Sequence, residues 1–442
     1  MASADPRPVG GRTPKVRPRV PRPGSIADRW HRLTGPDGPI EGDRSTLTYY
    51  ALLIAALTLL TLGLTMVFSV QSVTIAQTGG NAFTSFARYL VFAVLGLVGM
   101  ALLARTPIRM LKLMAWPALI ASCAAQLLVY APGLRYCAGG NCNWIKIPVV
   151  GTIQPSEFIK LGLCLFLGVM VSTRQDAFVE GVTTWRQAGR LLGWIFAPAA
   201  VAVVLVLGGG DLGTVIVLAL LVAGALWMGG LGWRWFVWLG AAGATAFCLL
   251  TALSANRRAR IIAWWNPEGA DPLDVGYQPK HGLWALGTGG WWGVGPGESR
   301  QKWGYLTQAD SDYIFAVLGE EFGLVGTLLV VALFAVLGGC CVRIIRRSTS
   351  LYVSVVTGGL MAWIVGQALI NMSVVVGLLP VLGVPLPLIS AGGSALMSVL
   401  LGIGVLLAFA RNEPGARQAL RARAGAVRRT LAVIAPRRRN RA

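Results

Sequence analysis

The sequence predicts an all-α polytopic membrane protein with ten transmembrane helices and one large extracytoplasmic loop between helices 7 and 8. Three observations carry that prediction. Only 13% of the 442 residues are charged and 55% are hydrophobic, whereas a soluble chain of this length carries about a quarter charged residues. The apolar residues gather into runs of roughly 20, the length that crosses a hydrocarbon core. The 56 glycines suit membrane helices that approach closely through small residues.

Residues 1–45 are rich in Pro, Gly and Arg and lack apolar periodicity. They read as a disordered basic tail, and without an apolar stretch in the first 30 residues they do not read as a cleaved signal. Apolar runs follow at about 47–70, 86–104, 113–131, 157–173, 191–208, 212–230, 235–254, 313–342, 352–376 and 388–410. Residues 46–411 therefore form the membrane domain, 255–312 its large loop, and 412–442 a second basic tail. The tails, counted with Arg411, and the alternate loops 105–112, 174–190, 231–234 and 343–350 hold 29 of the 39 Lys and Arg. Positive residues stay inside, so both tails are expected in the cytoplasm and the large loop outside. The net charge of +21 reflects this arrangement and not nucleic-acid binding. The tails could touch anionic headgroups or cytoplasmic proteins.

Cys123, Cys164, Cys248, Cys340 and Cys341 lie in or beside apolar runs and read as small packing residues. Cys137 and Cys142 share a polar loop placed outside, where a local disulfide and a free pair both remain open. His31 and His281 stand far from any cysteine pair, which argues against zinc, and no metal ligands are assigned.

The large loop draws attention because Arg257, Arg258, Arg260, Lys280, Arg300 and Lys302 run against the topological trend there. Long loops translocate regardless of charge, but this one also carries Trp264, Trp265, Trp284, Trp291, Trp292 and Trp303. A cationic, indole-rich loop at the outer leaflet suggests chemistry on an anionic lipid-linked substrate. Asp310-Ser311-Asp312 closes the loop where the chain turns apolar. Asp312 reads either as a helix cap or as a base whose pKa is raised at a dry membrane edge. Glu320 and Glu321 follow inside the span and are expected to face a cavity or a partner.

Glu157 and Lys160 are three apart on one helix face, so they can pair. A structural ion pair and a catalytic role both fit. Asp211, at a short external turn, is a cap or a partner for cations. The run Gly287–Gly297 lacks a strand-to-helix context and a Gly-Lys-Ser/Thr ending, which excludes a nucleotide loop. A flexible substrate loop or surface turns fit it better. Between Leu379 and Ser394, prolines and glycines among apolar residues imply non-helical backbone at membrane depth, lining a cavity.

These pieces in this order resemble the SEDS family of bacterial shape, elongation, division and sporulation proteins, over nearly all of 46–411. The motifs are Asn143-Trp144-Ile145, Gln154-Pro155-Ser156-Glu157-Phe158-Ile159-Lys160, Asp211-Leu212-Gly213-Thr214, Arg260 before Asn266-Pro267, and Gly276-Tyr277-Gln278. They continue with Gln301-Lys302-Trp303-Gly304-Tyr305-Leu306, Asp312-Tyr313-Ile314-Phe315-Ala316, Asn371 and Pro387-Leu388-Ile389-Ser390-Ala391-Gly392-Gly393-Ser394. The chain is most similar to the actinobacterial FtsW branch, with the RodA branch as the alternative. Gly209-Gly210 stand where the family has Gln-Pro, and Thr307-Gln308-Ala309-Asp310 replaces Pro-Glu-Ala-His/Asn.

The resemblance implies a ten-helix peptidoglycan glycosyltransferase that polymerises lipid II outside the membrane. It also implies a cognate class B penicillin-binding protein as transpeptidase partner, other divisome membrane proteins as neighbours, and a multi-pass place in the bacterial cell membrane at the division septum. Asp312 matches the family's catalytic carboxylate. Arg260, Lys302, Gln278, Glu157, Lys160, Trp144 and Ser390 match positions expected to bind substrate or line the cavity. No cofactor is firmly implied, and a divalent cation (magnesium or manganese) is left open. In the expected mechanism Asp312 takes the proton of a sugar hydroxyl while Arg260 and Lys302 steady the departing diphosphate. A flippase of the lipid-linked precursor is the alternative, since buried charges and broken helices would serve transport as well.

Overall fold

The computed structural model describes residues 46–79, 81–138, 141–147, 151–174, 185–269, 271 and 275–420. The N-terminal tail, most of the 412–442 tail and much of the 174–190 loop lie outside the described residues. Helices dominate. In chain order they are α1 (Leu47–Thr78), α2 (Ala82–Arg105), α3 (Ile108–Leu127), α4 (Ser156–Thr173), α5 (Trp185–Leu207), α6 (Leu212–Met228) and α7 (Trp233–Ala252). Two loop helices follow, α8 (Ala255–Trp265) and α9 (Tyr277–Gly289), and then α10 (Ile314–Arg347), α11 (Leu351–Val375) and α12 (Gly393–Arg411).

Among the described residues, eight helices are long and apolar enough to cross a membrane, and Gly193–Leu207 and Leu212–Met228 are shorter apolar helices. The chain is thus a polytopic membrane protein. Each expected apolar run coincides with a helix, with ends that differ by a few residues. Lipid-facing side chains such as Leu102, Leu113 and Ile120 are exposed, as a bundle bathed in hydrocarbon requires.

Two expectations need correction. The fold is not purely helical: between α3 and α4 lies a three-stranded antiparallel sheet of β1 (Arg135–Ala138), β2 (Asn141–Ile147) and β3 (Gly151–Ile153), in the order β1-β2-β3. Tyr136 and Trp144 are cross-strand partners, as are Ile145 and Ile153, and aromatic and β-branched pairs of this kind stabilise short ladders. Cys137 and Cys142 form a disulfide across the β1–β2 turn. The last apolar run is also not all helix. Residues 376–392 are irregular, and α12 begins only at Gly393, because Pro380, Pro385 and Pro387 remove donors and fix φ.

The core forms where α4, α11 and α12 meet. α12 packs on α2, α11 on α6 and α4, α3 on α4, and α10 on α1 and α11. The irregular 376–392 segment enters this core because α1 has no side chain at Gly63, where a Cβ would meet the Leu388 carbonyl at 2.3 Å. Leu388 itself holds φ +66°, a cost tolerated only when the surroundings enforce it.

α10 is broken at Gly323 (φ 66°, ψ −162°). The Gly-rich run is docked into that break. Val294 N–H donates to the Glu320 carbonyl at 2.9 Å and Gly295 N–H to that of Glu321 at 3.1 Å. In return Leu324 N–H donates to Gly290 at 2.9 Å and Val325 N–H to Trp291 at 3.3 Å. A side chain at Gly293 or Gly323 would strike the opposing backbone. Instead of a flexible loop or surface turns, the run is a strap that satisfies backbone groups freed by the broken helix.

Candidate functional site

Asp312 immediately precedes α10, and its loop is pinned to the irregular 376–392 segment from several directions. Asn371 on α11 donates through Nδ2 to the carbonyls of Asp312 at 2.7 Å and Val384 at 2.8 Å. Ser390 Oγ donates to the Ser311 carbonyl at 2.6 Å and accepts from Leu386 N–H at 2.8 Å. Ala391 N–H reaches the Asp310 carbonyl at 2.8 Å, and Tyr89 on α2 donates to the Ser390 carbonyl at 3.0 Å. Ser390 therefore acts through the backbone, fixing where the carboxylates stand.

Asp312 Oδ2 would lie 3.6 Å from a Cβ at Gly383. Burial pushes the Asp312 carboxyl up from 3.8 to about 7; Asp211 and Asp310 raise it further by repulsion, and Arg260 draws it down. Desolvation is the leading cause. A carboxyl titrating near neutrality suits a general base at working pH. Asp310 is also raised by burial, held back by hydrogen bonds from its own backbone and from Gln71.

Arg260 on α8 borders two cavities. One, of about 120 Å³, includes Asn141, Gly210, Ser254, Asn256 and Arg257 in its wall. The other, of about 470 Å³, runs under α9 past Trp264, Pro279, Leu283 and Val374, with Lys280 also in its lining. Pro380 and Val381 border both. No described residue makes a hydrogen bond or ion pair with the Arg260 guanidinium, so its five donors are available to a ligand. Arg257, in contrast, is tied to the Gly210 carbonyl at 2.8 Å and the Leu250 carbonyl at 3.3 Å.

Asp211 caps α6, accepting from Thr214 N–H at 2.9 Å and Thr214 Oγ1 at 2.7 Å, and takes Gln154 Nε2 at 2.8 Å. Gly209-Gly210 is required by close packing. A Cβ at Gly209 would overlap Asn143 Oδ1, Cys142 N–H donates to the Gly209 carbonyl at 2.7 Å, and Gly210 holds φ +87°. Asn143 is itself buried between Gln126 and the Val206 carbonyl. Its neighbour Trp144 lies on β2, paired across the ladder with Tyr136 of β1.

Glu157 and Lys160 form a buried ion pair at 2.7 Å, each about 1% exposed. Lys160 also donates to Gln367 Oε1 at 3.1 Å and sits 5.3 Å over the Trp363 ring. Gln367 passes the connection on to the Pro385 carbonyl at 2.8 Å, and Ser398 donates to Glu157 at 3.3 Å. The pair supports the irregular segment from within the bundle.

Lys302 is not brought to the Arg260 cavities. Its ammonium donates to Glu321 at 2.8 Å, Ser69 Oγ at 2.8 Å and the Gly297 carbonyl at 2.5 Å, and is almost fully buried. All three donors are spent, which leaves none for a diphosphate. Glu320 holds the same strap, accepting from Ser299 Oγ at 2.5 Å and from the Arg300 and Gln301 amides at 3.1 and 3.3 Å. Gln278 on α9 donates to the Thr307 carbonyl at 2.9 Å, bracing the loop that leads to Asp310.

Lys302→Met is expected to destabilise the protein by about 3 to 5 kcal/mol, because Glu321 is left buried and uncompensated. Adding Glu321→Gln should recover most of the loss. Thermal unfolding in detergent checks both. A normal Tm with a raised KM would instead assign Lys302 to the substrate.

Among the described residues no three His, Cys, Asp or Glu side chains gather as a metal set. The oxygens of Asp211 are engaged by Thr214 and Gln154, and Asp310 accepts from Gln71. No step of the proposed chemistry is routed through a divalent cation. Sequence reasoning did not weigh Gln367, Ser398 or Ser69 and gave Asn371 no role. Gln367 and Asn371, four apart in an apolar run, were the available signal, since polar residues on one face inside a span rarely face lipid.

Fold and site together define a polytopic membrane protein whose broken and irregular segments gather carboxylates and a guanidinium that is unpaired among the described residues. The family described as "Cell cycle protein" (FtsW, RodA and SpoVE) matches residues 50–414, and the chain belongs to that family. Similar proteins include the probable peptidoglycan glycosyltransferase FtsW of Mycobacterium tuberculosis, 35% identical over 378 residues, covering 85% of this chain and 70% of the relative. Stage V sporulation protein E of Bacillus subtilis is 35% identical over 361 residues, 81% of this chain and 96% of the relative. In fold, the chain is similar to one in the solved structure "Structural coordination of polymerization and crosslinking by a peptidoglycan synthase complex". The TM-score is 0.63 at 24% identity, over 83% of this chain and 98% of that one.

Proposed function

We propose that this chain is a peptidoglycan glycosyltransferase that polymerises lipid II, with Asp312 as general base and Arg260 as the counter-charge to the departing diphosphate. The observation that carries the reading is a carboxyl that burial pushes up to about 7, within electrostatic reach of a guanidinium unpaired among the described residues and bordering two cavities. The names of the 35%-identical relatives support the reaction class.

Growth of a glycan requires a sugar hydroxyl to attack an anomeric carbon that bears a polyprenyl diphosphate. The new C–O bond forms as the bond to diphosphate breaks, the hydroxyl proton passes to Asp312, and negative charge accumulates on the leaving oxygens. Hydrolysis by inverting glycosidases needs a second carboxyl as acid. Diphosphate leaves without one, so a base and a cation suffice. The 470 Å³ cavity under α9, with Arg260, Lys280 and a single acid, Glu268, in a wall that is otherwise apolar, would take the diphosphate and the start of the prenyl chain.

Lys302, Glu320 and Gln278 hold the loop in shape instead of touching substrate. Glu157, Lys160 and Ser390 shape the cavity wall, and Trp144 serves the sheet. In this reading ten spans and two cytoplasmic tails put Asp312 outside, where polymer is needed. In this reading residues 46–411 are the catalytic domain, 255–312 its outer loop, and 1–45 and 412–442 the tails. The likeness to a chain of a peptidoglycan synthase complex supports a cognate class B penicillin-binding protein as partner; in this reading the pair works at the septum with other divisome membrane proteins.

The test is a product assay. Purified chain with its transpeptidase partner, given lipid II in detergent, should yield glycan polymer. Lipid II that crosses a vesicle bilayer but stays unpolymerised would replace this reading with a flippase.

A further inference from the structure

The end of the bundle where α1 starts and α2 and α12 finish holds a cavity unrelated to the Asp312 site. It encloses about 610 Å³, within the range of small-ligand pockets. Its floor is apolar, formed by Leu53, Met100 and Leu407, and its rim carries Arg105, Arg411 and Arg417. Gly404 lets α2 and α12 touch just inside it, since a Cβ there would meet the Met100 carbonyl at 2.7 Å.

The charges at the rim are unbalanced. Among the described residues no acidic side chain lines the cavity. The nearby Glu413 is turned to Arg347 at 3.6 Å and to Thr48. Arg411 donates to the Ala104 carbonyl at 3.4 Å and Arg417 to Asn412, while Arg105 makes no hydrogen bond or ion pair with a described residue. Arginine in the last turn of α2 and of α12 complements the helix dipoles. That accounts for Arg105 and Arg411, but neither for Arg417 nor for an apolar hollow beneath three guanidinium groups.

We propose that this cavity binds an acidic phospholipid, its phosphate held by the three arginines and the first part of an acyl chain lying on the apolar floor. Guanidinium forks match phosphate oxygens in pairs. The level of the site, where spans end, is where headgroups sit. The bound lipid would tie α1, α2 and α12 together at the face opposite the Asp312 loop.

The test uses the full chain in uncharged detergent and native mass spectrometry with phosphatidylglycerol, phosphatidylcholine or inorganic phosphate. Phosphatidylglycerol should bind about tenfold more tightly than phosphatidylcholine, and Arg105→Gln with Arg417→Gln should remove about that factor. Ala101→Trp, which fills the cavity from an exposed position without changing charge, should weaken binding to a similar degree. Monodisperse elution and an unchanged Tm show that each variant is folded. Equal binding of the two lipids overturns the proposal, as does unchanged binding in the double variant. Unchanged binding in Ala101→Trp places the attraction outside the cavity, and full displacement by millimolar phosphate removes any role for the acyl chain. Either result also overturns it.

Discussion

Asp312→Asn should lower lipid II polymerisation by about 10³-fold, the scale of a positioned general base, without unfolding the protein. The stability readout separates this from simple damage. A carboxyl raised from 3.8 to about 7 holds its proton more tightly folded than unfolded. Its ionisation therefore costs the folded state progressively as pH rises from about 4 through 7, up to about 2 to 4 kcal/mol after allowing for partial solvent access. The amide carries no such cost, so at pH 8 the variant should melt no lower than the parent, and above it if its amide finds a partner. Wild-type polymerisation by Asp312→Asn would refute the base assignment. A lowered Tm would refute the account of its electrostatics.

Arg260→Gln should reduce kcat by about 10²-fold with little change in KM, as expected for a charge that matters most when the diphosphate departs. It should also move the pH profile. With Asp312 as the proposed base, activity should rise with pH through about 7 in the parent. Removing the attractive guanidinium raises that limb, and Asp211→Asn, which removes a repulsive neighbour but keeps a capping side chain, lowers it. Opposite displacements in the two variants, followed by initial rates between pH 5 and 9, are the signature. A profile that stays put in both would show that the limb belongs to another group.

Much of this was legible in the sequence, for identifiable reasons. Ten apolar runs need only length and composition, and each became a helix. Asp312 stood out as a carboxylate at the mouth of an apolar run, where a cap and a base fit equally and only the family resemblance favoured the base. Glu157 and Lys160 declared their pairing through helical spacing. The sheet was not legible, because strands of three to seven residues give too few alternations to register against a helical background. Lys302 could not be read correctly from its neighbours, since Ser69 lies 233 positions away. Gly323 resembled any small residue in a membrane helix. Only the strap passing through it shows that the helix is interrupted there.

That interruption bears on the order in which the molecule matures. The stretch Trp291–Gly295 leaves the ribosome before the turn of α10 that it grips, so it cannot fasten until Glu320–Val325 has been inserted. Until then Lys302 has no Glu321 to pair with, and the segment leading to Asp312 has no fixed path. The Asp312 loop is thus completed late in biogenesis, by a clasp that closes only after the first turns of α10 have formed.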